Sequence, residues 1–141
     1  MHQAPDFLLF EDDLGDAGLI QEAVSQAGLA CKWSHADNGE RALNLIDRVA
    51  ADELHAALVI VDINLPRRDG KELLRIMRSI SRFNEIPIIV ATGSLNPRER
   101  DEALALGANA FFNKPSSYEA YMELGVLVKG LVEGRDGDTA V

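Results

Sequence analysis

Short apolar runs alternate with amphipathic segments along most of the chain. Such runs, bounded by turn or polar residues, are typical of β-strands. Two of them, Ala57–Val61 and Ile86–Ala91, are apolar on both faces, as parallel strands covered by helices on each side require. The pattern predicts five strands, of which the second is the weakest signal: Phe7–Phe10, Cys31–His35, Ala57–Val61, Ile86–Ala91 and Ala110–Phe112.

The segments between these runs repeat apolar residues at the period of an α-helix. A fourth helix is predicted to begin at Asn96–Pro97 and end at Gly107, because asparagine is a preferred cap and proline favours the first helical position. The last helix is predicted to begin at Ser116, whose spacing to Glu119 fits a capping box. The first three helices are predicted from the apolar sets Leu19, Ile20, Ala23, Val24 and Ala27; Ala42, Leu43, Ile46 and Val49; and Leu73, Leu74, Ile76, Met77 and Ile80.

Five strand–helix units predict an open, doubly wound α/β domain. The units fill residues 6–133, and we expect residues 134–141 to form a flexible tail. The length of 141 residues fits one domain of this kind, with a core of useful size.

Composition narrows the class of partner. The chain is 47% hydrophobic and 26% charged, and no apolar run approaches the roughly 18 residues that a membrane span needs. Its 23 acidic and 14 basic residues give a net charge of −9, which disfavours binding to nucleic acid and anionic lipid. The amino-terminal segment lacks the features of a secretory signal, so we expect a soluble, cytoplasmic protein. A lone cysteine, Cys31, rules out an internal disulfide.

The candidate chemistry lies where the predicted strands end. Three consecutive acids, Glu11 to Asp13, follow the first strand, and Asp62 ends the third. Thr92 ends the fourth strand and Lys114 follows the fifth. In open α/β sheets ligands bind outside the carboxyl ends of the strands, so these side chains should converge. Clustered carboxylates repel one another unless a cation joins them, and hard oxygen ligands suit Mg²⁺ with room for a phosphoryl group.

Four blocks of this sequence closely resemble the receiver domain of two-component response regulators. They are "EDD" after the first strand, "VDINLPRRDG", "ATGS" and "NKP", in the order and spacing of that family. The resemblance covers about residues 6–133. It implies a flavodoxin-like (βα)5 fold with a five-stranded parallel sheet in the order 2-1-3-4-5. It also implies a signalling domain that catalyses its own phosphorylation and dephosphorylation and turns over no separate substrate.

The resemblance assigns an acceptor and a metal site. Asp62 matches the phosphoacceptor and is also a metal ligand. Asp12 matches a direct Mg²⁺ ligand, and Glu11 an acid that acts mainly through a metal-bound water. The backbone of Asn64 is expected to supply a further metal ligand and to contact the phosphoryl group. Asp13 departs from the residues that many relatives carry there, and its role stays open.

The resemblance also assigns the residues that read the phosphoryl group. Thr92 and Lys114 match the hydroxyl and the lysine that contact its oxygens, and the small Gly93 lets its backbone amide approach them. Phe111 stands where the family has an aromatic switch residue, although a core position explains it equally well. Pro115 is expected to follow a cis peptide bond that directs Lys114 inward.

The expected partner is a sensor histidine kinase or a phosphotransfer protein, with an unknown downstream protein target. The block "FLLFEDDLGDAGLIQEAV" is more specifically similar to small regulators of bacterial phytochromes and related kinases, which often dimerise. A bacteriophytochrome kinase is therefore one candidate partner. A homodimer through the last helix is a further expectation, based on four apolar residues of that helix: Tyr121, Leu124, Val128 and Leu131.

Three functions are alternatives to that of a phosphorylated terminal effector. A haloacid-dehalogenase-like phosphatase has a second aspartate two residues after its nucleophile, where this chain has Asn64, which argues against it. A pseudo-receiver that only binds proteins would normally have lost part of the site. This chain keeps all five residues that the resemblance assigns to the phosphorylation site: Glu11, Asp12, Asp62, Thr92 and Lys114. A relay intermediate differs from a terminal effector only by reverse transfer to a phosphotransfer protein, and the sequence fits both.

Overall fold

The computed structural model describes residues 4–134 and contains one parallel sheet. The strand order β2-β1-β3-β4-β5 confirms the order expected from the resemblance. Residues 135–141, nearly all of the predicted tail, lie outside the described residues. The strands are β1 (Asp6–Phe10), β2 (Lys32–Ala36), β3 (Ala56–Val61), β4 (Ile88–Thr92) and β5 (Ala110–Asn113).

Five helices connect and cover these strands, as the alternating pattern predicts. In residues 4–134, no helix is long and apolar enough to span a bilayer. A short 3₁₀ turn at Ser81–Phe83 precedes β4. The helices are α1 (Leu14–Gln26), α2 (Gly39–Ala50), α3 (Gly70–Arg78), α4 (Pro97–Ala105) and α5 (Tyr118–Glu133).

The sheet separates two hydrophobic layers. Residues of α1 and α5 pack on one face with Phe7 and Leu9, and residues of α2, α3 and α4 pack on the other with Leu8 and Phe10. Alternate residues of β1 therefore enter opposite layers, and all four of these side chains are fully buried. This explains why β1, β3 and β4 read as continuous apolar runs.

Most predicted boundaries shift by one or two residues, and two of these shifts have a clear local cause. β4 begins at Ile88 rather than Ile86, because Pro87 has no N–H to donate to the ladder and Ile86 instead donates its N–H to Phe83 in a turn. The cap of α5 is Ser117, whose hydroxyl accepts a hydrogen bond from the N–H of Ala120 at 3.2 Å. The predicted cap at Ser116 was therefore wrong by one residue.

The prediction of an exposed apolar surface on α5 was also largely wrong. Tyr121, Leu124 and Val128 are buried against α1 and the sheet, so they cannot form a dimer surface. Their spacing of three and four residues is the stripe by which a helix faces its own core. The large apolar side chains that α5 does expose are Val126, at 69%, and Tyr118, at 46%.

The close contact between α1 and α5 depends on Gly125. A Cβ atom at this position would lie 2.0 Å from the carbonyl oxygen of Ala23 and 3.1 Å from the Cβ of Ala27. Only glycine lets the two helix backbones approach this closely. The distance between α1 and α5 is therefore fixed by a single position.

We expect Gly125→Ala to lower the free energy of unfolding by about 1–3 kcal/mol, because α5 must move away from α1. Gly130→Ala on the same helix is the matched control, since a Cβ there meets nothing within 4 Å. The control should gain up to about 1 kcal/mol from the better helix propensity of alanine. Urea unfolding of the three proteins measures both changes, and equal stability of the two variants would contradict the prediction.

Candidate functional site

Three carboxylates converge at the carboxyl end of the sheet, as predicted. One oxygen from each of Glu11, Asp12 and Asp62 lies within 4.8 Å of the others. Glu11 is 1% exposed and Asp62 is 6% exposed, whereas Asp12 faces solvent. The cluster is therefore a buried pair of acids with a third acid at its open side.

Strand pairing brings the two buried acids together. β1 pairs with β3 in parallel, with Phe10 opposite Val61, so that the residues after these two, Glu11 and Asp62, leave the sheet side by side. The N–H of Asp62 donates to the carbonyl of Phe10 at 3.0 Å and extends the ladder into the site. The pairing of these two apolar strands thus fixes where Glu11 and Asp62 lie relative to each other.

Lys114 provides the positive charge of the site. Its Nζ donates hydrogen bonds to Glu11 Oε1 at 2.6 Å, Asp62 Oδ2 at 2.8 Å and Asp16 Oδ2 at 3.0 Å. The Lys114 side chain is only 9% exposed. Burial alone lowers the pKa of Lys114, but the hydrogen bonds to Asp62, Glu11 and Asp16 outweigh burial and leave it well above its usual range. The ammonium is therefore charged at any physiological pH.

Glu11 titrates unusually for a carboxyl group. Burial raises the pKa of Glu11 from 4.5 to about 7, although the hydrogen bond and charge of Lys114 and the N–H of Asp13 act in the opposite direction. The nearby charge of Asp62 raises it further. Without a metal, Glu11 therefore keeps its proton up to near neutral pH, and a cation bound beside it would favour the ionised form.

Thr92 is held in place by the loops around it. Its hydroxyl oxygen accepts hydrogen bonds from Asn64 Nδ2 at 3.2 Å and from the N–H of Ser94 at 3.3 Å, and the residue is fully buried. Asn113 Nδ2 donates to the carbonyls of Ser94, at 2.6 Å, and Thr92, at 3.4 Å. The hydroxyl thus lies between the acceptor loop, which contains Asn64, and the loop that follows β4.

The remaining predicted residues are placed as follows. A Cβ at Gly93 would meet nothing within 4 Å, so the backbone there borders open space, as the approach of a ligand requires. The N–H of Asn64 donates to Asp62 Oδ1 at 2.9 Å. Phe111 is half-buried and packs against the core layer of α2, α3 and α4. Its role as a switch stays a prediction.

The predicted cis bond before Pro115 was wrong. No cis peptide bond occurs in residues 4–134, so the bond between Lys114 and Pro115 is trans. Lys114 reaches all three carboxylates with the trans bond, whose lower energy is the general rule for a residue before proline.

Sequence reasoning missed two side chains that shape the site. Asp16, in the first turn of α1, is the third partner of Lys114, and Tyr121 of α5 donates its hydroxyl to Asp16 Oδ1 at 3.2 Å. Asp13, whose role was open, caps α1 by accepting the N–H of Asp16 at 2.9 Å. No spacing in the sequence predicts the contact between Asp16 and Lys114, because the two residues lie 98 positions apart.

The donor set fits a hard divalent cation. Mg²⁺ binds carboxylate oxygens in proteins and usually keeps several waters. The three carboxylates, with Asp12 on the side open to solvent, offer such oxygens and leave room for waters. The adjacent ammonium and hydroxyl are suited to bind the oxygens of a phosphoryl group. The arrangement can align a carboxylate nucleophile with a phosphoryl donor.

Comparisons with known proteins agree with this geometry. The family model described as "Response regulator receiver domain" matches residues 7–124. The chain belongs to the response regulator receiver family. The two-component response regulator ARR17 of Arabidopsis thaliana is 30% identical over 115 residues, which cover 77% of this chain and 74% of that protein. This receiver is therefore similar to relatives of comparable size.

Two further comparisons concern the response regulators Rcp1 and RcpA. The response regulator Rcp1 of the cyanobacterium Synechocystis is 27% identical over 109 residues, covering 76% of this chain and 74% of Rcp1. The crystal structure of the phosphorylated cyanobacterial phytochrome response regulator RcpA superposes with a TM-score of 0.82. It covers 93% of this chain and 96% of RcpA at 22% identity, a level that shows the shared fold alone.

Proposed function

We propose that this receiver accepts a phosphoryl group from a sensor histidine kinase on Asp62, in a Mg²⁺-dependent reaction, and signals through phosphorylation-dependent protein contacts. The contact from Lys114 Nζ to Asp62 is the main support, because it lies beside the converging oxygens of Glu11, Asp12 and Asp62. The acceptor carboxylate is thus next to both an ammonium and a set of metal ligands.

Glu11, Asp12 and Asp62 would hold the metal ion, together with the backbone carbonyl of Asn64. A bound Mg²⁺ would neutralise charge on the phosphoryl oxygens and on the acids. Because the pKa of Glu11 is about 7 without metal, this side chain must give up its proton before it serves as a ligand near neutral pH.

The transfer step needs few parts from the protein. A carboxylate oxygen of Asp62 attacks the phosphorus of a phosphohistidine, the bond from phosphorus to nitrogen breaks, and the imidazole leaves. Lys114 donates to a phosphoryl oxygen, as do the hydroxyl of Thr92 and the N–H of Gly93. Water later attacks the phosphorus, the bond from phosphorus to the Asp62 oxygen breaks, and inorganic phosphate leaves the free carboxylate behind.

The signal leaves the site through Thr92. Its hydroxyl accepts from Asn64 and Ser94 and keeps its own proton to donate, so a hydrogen bond to a phosphoryl oxygen would draw Thr92 and the loop after β4 towards Asp62. An inward movement of Phe111 on β5 would follow. The moving parts border α4 and β5, where a target protein can detect the change.

The partners follow from the family and from the exposed surface. Leu14 and Leu95, 77% and 87% exposed, belong to segments that follow β1 and β4 at the site's end of the sheet, where a partner can cover them. A bacteriophytochrome-type kinase is one candidate, given the similarity of residues 7–24 to small regulators of bacterial phytochromes. A homodimer through α5 stays a prediction, with Val126 as its exposed apolar residue. We take residues 6–133 as the receiver unit and expect it in the cytoplasm.

Incubation with a small phosphodonor tests the proposal. Intact mass spectrometry should show one added phosphoryl group per chain in the presence of Mg²⁺ and none when the metal is chelated. Peptide mapping after borohydride reduction of the acyl phosphate should place the group on Asp62. No adduct at any Mg²⁺ concentration would favour the pseudo-receiver, a phosphorylation-independent binding module. A separate transfer assay to a phosphotransfer protein distinguishes a relay intermediate from a terminal effector.

A further inference from the structure

We propose that Asp16 and Tyr121 form a positioning pair that holds Lys114 in place for phosphoryl transfer. This inference rests on the proposed function, because it concerns the lysine that contacts the phosphoryl group. Asp16 accepts from Lys114 with Oδ2 at 3.0 Å and from the Tyr121 hydroxyl with Oδ1 at 3.2 Å. The carboxylate thereby links the lysine after β5 to helix α5.

The hydrogen bonds of Lys114 show why an extra anchor is needed. An ammonium has three protons, and Lys114 uses all of them on Glu11, Asp16 and Asp62. Glu11 and Asp62 change when a metal ion and a phosphoryl group arrive, because both belong to the metal-ligand cluster. Asp16 lies outside that cluster, so its bond can persist while the other two are exchanged.

The phenol of Tyr121 fixes the orientation of Asp16. The Tyr121 side chain is buried, at 3% exposure, and its hydroxyl has no other hydrogen-bond partner among the described residues. Gly125, one turn further along α5, holds that helix against Ala23 of α1, which sets the distance from Tyr121 to Asp16. A long helical side chain leans towards the N-terminus of its helix, as this contact requires.

The pair has a chemical consequence at the moment of transfer. With Asp16 in place, Lys114 keeps one fixed bond and needs only a small rotation to donate to a phosphoryl oxygen. Without that bond the flexible lysine side chain samples many orientations, and the charge that should stabilise the transferring group is often misplaced. The loss should therefore appear in the rate of phosphorylation and not in the binding of Mg²⁺.

Two pairs of variants separate positioning from general stability. Asp16→Asn keeps the shape of the side chain and removes the charge that binds Lys114. Asp69→Asn is its match, because Asp69 is an exposed acid that caps α3 outside the metal-ligand cluster, and asparagine caps a helix as well as aspartate does. Tyr121→Phe removes the phenol that orients Asp16, and Tyr118→Phe is its match, because Tyr118 bonds Glu22 and Gln26 of α1 without touching Lys114.

Phosphorylation by a small donor at saturating Mg²⁺ is the first measurement. We expect Asp16→Asn to be slower by about tenfold and Tyr121→Phe by about two- to fivefold, with an unchanged Mg²⁺ concentration for half-maximal rate. Asp69→Asn and Tyr118→Phe should react at the wild-type rate. Equal slowing of Tyr118→Phe and Tyr121→Phe would indicate a merely structural role for the contact and overturn the proposal.

The ammonium of Lys114 gives a second measurement that needs no phosphorylation. The chain has four lysines, so the ¹⁵N–¹H signal of each ammonium group can be separated, and the Lys114 signal identified by its loss in Lys114→Met. We expect slow proton exchange at Lys114 in the wild type and clearly faster exchange in Asp16→Asn and Tyr121→Phe only. Unchanged exchange in both variants would overturn the positioning role, whereas absence of phosphorylation in the wild type would overturn the proposed function instead.

Discussion

Asp62→Asn should abolish phosphorylation while leaving the fold intact. An amide lacks the anionic oxygen that attacks phosphorus. Asparagine has the shape of aspartate, and its carbonyl can still accept the N–H of Asn64, which bonds Asp62 Oδ1 in the wild type. Incubation with a phosphodonor and Mg²⁺, followed by intact mass measurement, should give no adduct.

Asp69→Asn is the matched control for this experiment. Asp69 lies in the same loop after β3 and caps α3 by accepting the N–H of Lys71 at 2.8 Å, which asparagine also does. Its carboxylate is exposed and is not part of the metal-ligand cluster. The control should be phosphorylated at the wild-type rate. Phosphorylation of Asp62→Asn on another residue would contradict the assignment of the acceptor.

The sequence predicted the fold well where burial determines the pattern. β1, β3 and β4 are buried on both faces, so nearly all of their residues are apolar, and the runs could be read directly. The rule that ligands bind at the carboxyl ends of parallel strands then brought Glu11, Asp62 and Lys114 to one place. Those three side chains do meet in the structure.

The errors concerning Asp16 and Tyr121 have a common physical origin in the distance between the helices α1 and α5. The contact from Asp16 to Tyr121 exists because Gly125 lets α5 approach α1, and no local pattern encodes that approach. The expectation that Tyr121 contributes to a dimer surface failed for the same reason. The capping-box spacing to Glu119 favoured Ser116 as the cap, but in the folded chain Ser117 takes that position.

Lys114→Met should destabilise the folded protein by about 3 kcal/mol at alkaline pH. The substitution keeps the volume of the side chain but leaves Glu11 and Asp62 buried without their cation, and an uncompensated buried charge costs about 3–5 kcal/mol. Lys71→Met is the control, because Lys71 pairs with Glu102 at the surface, where ion pairs contribute little. Urea unfolding of both variants measures the difference.

The sign of the pH dependence follows from Glu11. In the wild type its pKa is about 7 in the folded state against 4.5 in an ordinary carboxyl group, so the folded state retains a proton between these values and stability falls as pH rises through that window. Removing Lys114 removes influences that lower this pKa, so in the variant the fall continues above pH 7. The gap between wild type and variant should therefore widen from about pH 6 to about pH 8.5.

Mg²⁺ separates the structural role of Lys114 from its chemical role. Added Mg²⁺ should restore part of the lost stability, because the carboxylates of Glu11 and Asp62 regain a positive neighbour. The rate of phosphorylation should stay about 10²–10³-fold below wild type, since the donor to the phosphoryl oxygen is still missing. Recovery of the rate together with the stability would show that Lys114 acts only by neutralising the buried acids.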